Sequence, residues 1–125
     1  MASILIVDDD RDGSDALCQF LQRSGHTVEC VPDGRDALAS VLARTPDLIV
    51  LDMFMPRMDG GGLLEILRSY LRLQSLPVII LTGVPDSPLA ERARSLRVNA
   101  ILVKGKATFE DILRAVQEEL PRAPK

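Results

Sequence analysis

The segment Ile4-Leu5-Ile6-Val7-Asp8-Asp9-Asp10 runs from four apolar side chains straight into three consecutive carboxylates. An unbroken apolar run of this length is typical of a strand that is buried on both faces of a parallel sheet. The carboxylates then lie together at the C-terminal end of the strand, where their like charges repel each other. A hard cation would relieve that repulsion, because it prefers oxygen ligands. The segment therefore predicts a buried strand that ends in a cation site.

Strand patterns and helical patterns alternate along the rest of the chain. Apolar runs predict strands at residues 4–7, 26–31, 47–52, 77–82 and 100–104, the second of them at a sheet edge. Helical stripes lie between and after them; they include Ala16, Leu17, Phe20 and Leu21 in the first helix, Ala37, Leu38, Val41 and Leu42 in the second, and Phe109, Ile112, Leu113, Val116 and Leu120 in the last. This alternation predicts an α/β fold, a doubly wound parallel sheet with right-handed crossovers and helices on both faces.

Composition limits the classes of protein to consider. The chain has 125 residues, 46% of them hydrophobic, which predicts one globular domain over residues 1–120 and a Pro-rich tail or linker start at 121–125. The net charge of −3, with scattered Lys and Arg, argues against a nucleic-acid surface. The apolar run after Met1 is too short for a signal peptide, and no segment is long enough to span a bilayer. We therefore expect a cytoplasmic location and no contact with a membrane.

The cysteines and the histidine have structural interpretations. Cys18 and Cys30 lack the spacing of metal ligands and lie in apolar settings, so we expect two reduced, buried thiols. His26, the one histidine, stands at a strand start with no acid nearby in the sequence, which favours a structural role.

Polar residues close four of the predicted strands. They are the acids Asp8, Asp9 and Asp10, then Asp52, Thr82 and Lys104. Taken singly, an acid caps a helix, a Thr starts a turn and a Lys is a solvated exit. A parallel sheet brings its C-terminal strand ends to one rim, which is where ligands bind. Carboxylates for Mg²⁺, a hydroxyl and an ammonium suit a phosphoryl group, with a remaining carboxylate as the nucleophile on phosphorus.

The joint spacing of these residues resembles the receiver domain of bacterial two-component response regulators over essentially the whole chain. The matching motifs are Ile6-Val7-Asp8-Asp9, Val50-Leu51-Asp52, Met55-Pro56-x-Met58-Asp59-Gly60, Leu81-Thr82-Gly83 and Leu102-Val103-Lys104. The resemblance implies a flavodoxin-like (βα)5 fold with strand order 2-1-3-4-5.

The resemblance also implies a role for each site residue. Asp52 would accept a phosphoryl group from a phosphohistidine. Asp9 would bind Mg²⁺ directly and Asp8 mainly through water, with Asp52 and the backbone carbonyl of Phe54 as further metal ligands. Thr82 and Lys104 would contact the phosphoryl group, while Asp10 would be a spare acid in a loop or a helix cap.

The implied partners are a sensor histidine kinase or a phosphotransfer protein, and an output domain or effector protein. A homodimer through the face of the fourth and fifth helices is expected by family analogy. The domain would phosphorylate and dephosphorylate itself without being a turnover enzyme.

Two positions depart from the family pattern. Lys104 is followed by Gly105, where the family usually has Pro after a cis bond. A cis bond without Pro costs roughly 2.5–4 kcal/mol, which favours trans, but the sequence leaves both isomers open. Ile101 stands where the family usually carries an aromatic that turns inward when the Thr hydroxyl moves. The apolar Phe54 and Val84 are expected to line the approach to Asp52 and to restrict attacking water.

Three other functions compete with a phosphorylation switch. A receiver that has lost switching could act as a constitutive docking module, which Ile101 and Gly105 favour. A metal-dependent phosphohydrolase would need a general acid two residues after its nucleophile, and Phe54 cannot donate a proton. A flavin carrier would need aromatic stacking loops, and aromatics make up only 3% of the chain.

Overall fold

The computed structural model describes residues 2–53 and 59–120. The strands are β1 (Ser3–Val7), β2 (Thr27–Val31), β3 (Leu48–Leu51), β4 (Val78–Thr82) and β5 (Ala100–Val103). The helices are α1 (Arg11–Arg23), α2 (Gly34–Ala43), α3 (Gly60–Ser69), α4 (Pro88–Ser95) and α5 (Phe109–Glu119), with a 3-10 turn at Leu71–Leu73. The proline-rich tail at 121–125 and the loop at 54–58, which contains Phe54, lie outside the described residues.

All five strands are parallel and lie in the order β2-β1-β3-β4-β5, as the resemblance implied. The three central strands, β1, β3 and β4, are buried nearly throughout, because helices cover both of their faces. The edge strands are only partly buried: β2 alternates between exposed and half-buried residues, and every residue of β5 is half-buried. The prediction of the second strand at a sheet edge is therefore confirmed.

Alternating strand side chains feed two separate cores. Ile4 and Ile6 of β1 pack with Leu17 of α1 and Ile112 of α5 on one face of the sheet. Leu5 and Val7 pack on the other face, which the apolar side chains of α2, α3 and α4 cover. Because the side-chain period of a strand is two residues, neighbouring positions on one strand serve opposite layers. Residues at even positions of β1 and β3 therefore point toward α1 and α5.

Side-chain caps start each of the helices. The N-cap residues whose side chains accept a backbone N–H are Asp10, Asp33, Asp59, Ser87 and Thr108. Thr108 and Asp111 form a capping box, in which each side chain accepts a hydrogen bond from the backbone N–H of the other residue. These bonds lower the pKa of Asp111, because they favour its charged form. The assignment of Asp10 to a cap is confirmed.

Some side chains predicted to be buried are exposed. Ala16 lies on the outer surface of α1, and Leu42 and Phe109 are 40% and 37% exposed. Leu42 lies near the end of α2, and Phe109 is the first residue of α5. Phe109 packs instead against Phe20 across α1 and α5, with ring centroids 5.4 Å apart.

The two cysteines and the histidine make structural contacts. Cys18 and Cys30 are free thiols but half-buried, which corrects the expectation of full burial. Burial, followed by its contact with Cys18, raises the pKa of Cys30 to about 12. His26 accepts a hydrogen bond from the backbone N–H of Ala2 through Nδ1, a structural contact. No helix in the described ranges is long and apolar enough to cross a bilayer.

Gly60 allows α3 to begin against the end of β3. A Cβ at this position would lie 2.6 Å from the Asp52 carbonyl oxygen and 2.8 Å from Met53 Cα, both of them backbone atoms. The Gly60 N–H donates to the Met53 carbonyl at 3.1 Å, so the two segments are joined at the same point. Gly60 therefore permits a close approach between the backbones of β3 and α3.

Replacing Gly60 with Ala should lower the free energy of unfolding by about 1–3 kcal/mol, because backbone on both sides must move apart. Chemical denaturation measures the change. Gly83→Ala is the matched control, since a Cβ there meets nothing within 4 Å. Equal stability of the two variants would contradict the close approach.

Candidate functional site

Asp8 and Asp52 follow two paired strand ends. Val7 of β1 and Leu51 of β3 are register partners, so the two acids leave the sheet at the same level. The Asp52 N–H donates to the Val7 carbonyl at 2.9 Å, which continues the ladder by one bond. Both side chains are nearly buried, at 7% and 6% exposure. The sheet therefore holds two carboxylates side by side at its rim, as the sequence predicted.

Lys104 brings its ammonium group to both acids. Its Nζ donates to Asp8 Oδ1 at 3.0 Å and Oδ2 at 2.9 Å, and to Asp52 Oδ2 at 3.4 Å. Partial burial alone would lower the pKa of Lys104, but the hydrogen bonds and charges of the two acids outweigh it and raise the pKa. The ammonium group thus stays charged at neutral pH and offsets the repulsion between the two acids.

Asp9 completes a group of three carboxylates. Ligand oxygens of Asp8, Asp9 and Asp52 all lie within 4.8 Å of one another, and Asp9 is exposed while the other two are buried. The backbone N–H of Asp10 fixes Asp8 Oδ1 at 2.9 Å. Clustered carboxylate oxygens beside solvent are the ligands that Mg²⁺ prefers, with water completing its shell. The donor set therefore fits Mg²⁺; the predicted fourth ligand, the Phe54 carbonyl, lies outside the described residues.

Thr82 ends β4 next to these acids in the strand order. The residue is fully buried, and its Oγ1 accepts a hydrogen bond from the Val84 N–H at 3.2 Å. Because an accepted bond leaves the hydroxyl proton free to point elsewhere, Thr82 remains a donor. Val84 is 52% exposed at the mouth of this loop.

The two positions that depart from the family pattern have defined structures. No cis peptide bond occurs in the described part of the chain, so the bond between Lys104 and Gly105 is trans. Gly105 has φ +89°, a conformation that Pro cannot adopt, and the N–H groups of Lys106 and Ala107 both turn back to the Val103 carbonyl. Ile101 is half-buried and packs into the apolar layer beneath α2, α3 and α4.

The structure brings predicted site residues together and adds one backbone contribution that the sequence did not predict. Asp8, Asp9, Asp52 and Lys104 are brought together, Thr82 stands at the adjacent strand end, and Asp10 contributes its N–H to Asp8 while its side chain caps α1. A backbone donor leaves no signal in residue identity, so only the geometry of the β1–α1 turn reveals it.

Comparison with known proteins gives a consistent match. The family described as response regulator receiver domain matches residues 4–117. The response regulator MprA of Mycolicibacterium vanbaalenii is 41% identical over 97 residues, which are 78% of this chain and 40% of that protein. The transcriptional regulatory protein AfsQ1 of Streptomyces coelicolor is 32% identical, with 89% of this chain and 56% of that protein covered. The chain thus spans only about half or less of these relatives.

Solved structures agree with the sequence matches. The chemotaxis protein CheY4 of Vibrio cholerae superposes with a TM-score of 0.87 at 30% identity, covering 96% of this chain and 99% of that one. A signal receiver domain of a signal transduction histidine kinase from Syntrophus aciditrophicus gives 0.86 at 29% identity, covering 96% and 90%.

Replacing Lys104 with Met should lower the free energy of unfolding by about 1–3 kcal/mol in metal-free buffer, because two nearly buried carboxylates lose their shared counter-charge. Urea denaturation in the presence of a chelator measures this. The matched control is Lys106→Met, an exposed lysine on the same turn, which should change stability by less than about 0.5 kcal/mol. Similar losses in both variants would show that the ion pair contributes nothing specific.

Proposed function

The chain belongs to the response regulator receiver family, and we propose that it accepts a phosphoryl group on Asp52 in a Mg²⁺-dependent reaction. The observation that carries the proposal is the Lys104 ammonium bonded to both Asp8 and Asp52. That pairing puts a cation where the oxygens of a transferring phosphoryl group collect charge, beside the carboxylate that would attack. Domains of this family are in general not turnover enzymes, and we propose the same of this one.

Asp8, Asp9 and Asp52 would hold Mg²⁺, with the backbone carbonyl of Phe54 as a further ligand. When bound, the cation would neutralise the acids and polarise a phosphoryl oxygen. Asp9 is the exposed member of the group and is proposed to bind the metal directly. Asp8 is already held by Lys104 and the Asp10 N–H, which favours contact through water.

In the transfer step this chain would supply the nucleophile and two donors to the equatorial oxygens, and the partner would supply the leaving imidazole. An oxygen of Asp52 attacks the phosphorus of a donor phosphohistidine as the phosphorus–nitrogen bond breaks, and the bonding electron pair returns to the imidazole. Lys104 lies 3.4 Å from Asp52 Oδ2 and donates to an equatorial oxygen of the incoming group. The Thr82 hydroxyl donates a hydrogen bond to another equatorial oxygen, while its Oγ1 still accepts the hydrogen bond from the Val84 N–H.

Proposed partners are a sensor histidine kinase or a phosphotransfer protein, and an output domain or effector in the cytoplasm. A groove of about 280 Å³ opens beside Asp8 and Lys104 and is lined by apolar residues of α1 and α5, including Leu17 and Ile112. An apolar partner surface that carries the phosphohistidine would fit against it. A homodimer through α4 and α5 remains a proposal by family analogy.

A constitutive docking module is the second candidate function. Ile101 has neither a ring to turn inward nor a hydroxyl, and the turn at Gly105 differs in conformation from one made by Pro. A domain with an intact acid group but no readout would bind its partner equally well before and after phosphorylation.

Incubation with Mg²⁺ and a small phosphodonor should add one phosphoryl group to Asp52, which mass spectrometry of peptides locates. Asp52→Asn should abolish the adduct, and Asp10→Asn is the matched control that should retain it, since Asn also caps helices. Chelation of Mg²⁺ should prevent the adduct. Absence of an adduct on Asp52 in the wild-type protein would favour the docking function.

Replacing Val84 or Phe54 with Ser should shorten the lifetime of the acyl phosphate several-fold, because a small polar side chain admits the attacking water. The decay of the phosphorylated protein after removal of the donor measures this lifetime. Leu71→Ser is a control, since Leu71 is 85% exposed and lies in the 3-10 turn after α3. Unchanged decay in both site variants would rule out the proposed exclusion of water.

A further inference from the structure

Arg68, near the end of α3, is buried and binds only backbone carbonyls among the described residues. Its side chain donates from Nε to the Leu96 carbonyl at 2.9 Å and from the guanidinium nitrogens to the Arg97 carbonyl at 3.3 Å. It also donates to the carbonyls of Leu73 and Leu76, both at 2.9 Å. The residue is 7% exposed. One side chain thus joins α3, the segment before β4 and the C-terminal end of α4.

The charge of Arg68 is balanced by the end of α4. Among residues 2–53 and 59–120 no carboxylate forms an ion pair with it. Leu96 is the C-cap of α4, so its carbonyl lies at the negative end of the helix dipole, where a cation is stabilising. Burial, and then the charge of Arg97, lower the pKa of Arg68, yet a guanidinium remains charged at neutral pH.

The apolar contacts of α4 come mainly from small side chains, with Leu89 partly buried against the same layer. Its fully buried side chains are Ala90 and Ala93, whereas α3 buries three leucines. Arg92 and Glu65 pair between α4 and α3, but both side chains are about half exposed, and such pairs contribute little. Compared with this exposed ion pair, the hydrogen bonds from the buried guanidinium of Arg68 are therefore the stronger polar contact between α3 and the end of α4.

The opposite end of α4 connects to the candidate site. Thr82 ends β4 and accepts the bond from the Val84 N–H, and the loop then runs to the N-cap Ser87. This loop contains Gly83 and the exposed Val84. A movement of the Thr82 hydroxyl would therefore reach α4 at its N-terminal end first.

We propose that Arg68 is a fixed anchor for the C-terminal end of α4, so that loop movement at Thr82 rotates α4 about that end instead of shifting the whole helix. The anchor itself is independent of phosphorylation. Only its use in signalling rests on the function proposed above. The Arg68 contact thereby directs the response of the α4 surface to its N-terminal half, around residues 87–90.

Hydrogen exchange of backbone amides in Mg²⁺-free buffer tests the anchor without any phosphoryl group. Thr82→Ala removes the acceptor of the Val84 N–H and should speed exchange several-fold at residues 83–90, leaving 93–97 unchanged. Arg68→Met should speed exchange at 93–97 by about tenfold or more, since it removes charged hydrogen bonds from that end. In the double variant, Thr82→Ala should speed exchange at residues 93–97 beyond the rate seen with Arg68→Met alone.

Arg72→Met is the matched control, because Arg72 lies in the nearby 3-10 turn but is exposed and bonds Thr45 instead. It should leave exchange at 93–97 unchanged. Arg68→Lys keeps the charge without the fork and should give an intermediate rate, which covers the case in which Arg68→Met fails to fold. Equal acceleration of 83–90 and 93–97 by Thr82→Ala alone, or no effect of either Arg68 variant at 93–97, would overturn the proposal.

A final arm separates the anchor from the function. With Mg²⁺ and a small phosphodonor, exchange should change at 83–90 and stay constant at 93–97. If no adduct forms on Asp52, the proposed function fails while the metal-free result on the anchor stands. If an adduct forms and 93–97 changes as much as 83–90, the rotation about Arg68 is wrong.

Discussion

Mutual repulsion between Asp8 and Asp52 is the constraint on which the site depends. The pairing of β1 with β3 leaves no freedom to separate them, and burial deprives them of the water that would screen their charges. The ammonium group of Lys104, the residue that follows the edge strand β5, offsets this repulsion. Under the proposed function, a divalent cation or a phosphoryl group would replace the contacts that the two carboxylates now make with Lys104.

The surrounding structure fixes the acids by backbone geometry more than by side chains. The Asp10 N–H orients Asp8, and the end of β3 is pressed against the start of α3, where only Gly60 permits the approach. The first contact fixes the side chain of Asp8, and the second fixes the backbone of Asp52 and Met53. Rigid backbone elements thus fix the positions of the carboxylates. The Thr82 hydroxyl and the Lys104 ammonium group can still rotate about their side-chain bonds.

Much of the fold could be predicted because strand length, helical spacing and capping residues are local signals. The acid group followed from them, since parallel strand ends meet at one rim. Local signals could not give the double contact of Lys104 with Asp8, which depends on distances between strands. They also gave no hint of Arg68, which in sequence resembles an ordinary charged residue near a helix end. The sequence predicts Phe109 and Leu42 to be buried, because helical periodicity identifies the apolar side of a helix. It does not show how completely other elements cover each side chain on that side.

The contact between Lys104 and Asp8 joins residues that are 96 positions apart. Closing so long a stretch of chain is slow relative to forming a helix, and it is unrewarded until the last strand has docked on β4. During folding, β1, β3 and β4 can therefore pair before β5 has docked. At that stage Asp8 and Asp52 lie together without the ammonium group of Lys104. The repulsion between the two acids is offset only after β5 has docked on β4, so a chain that has folded without β5 has both acids in place but no paired ammonium group.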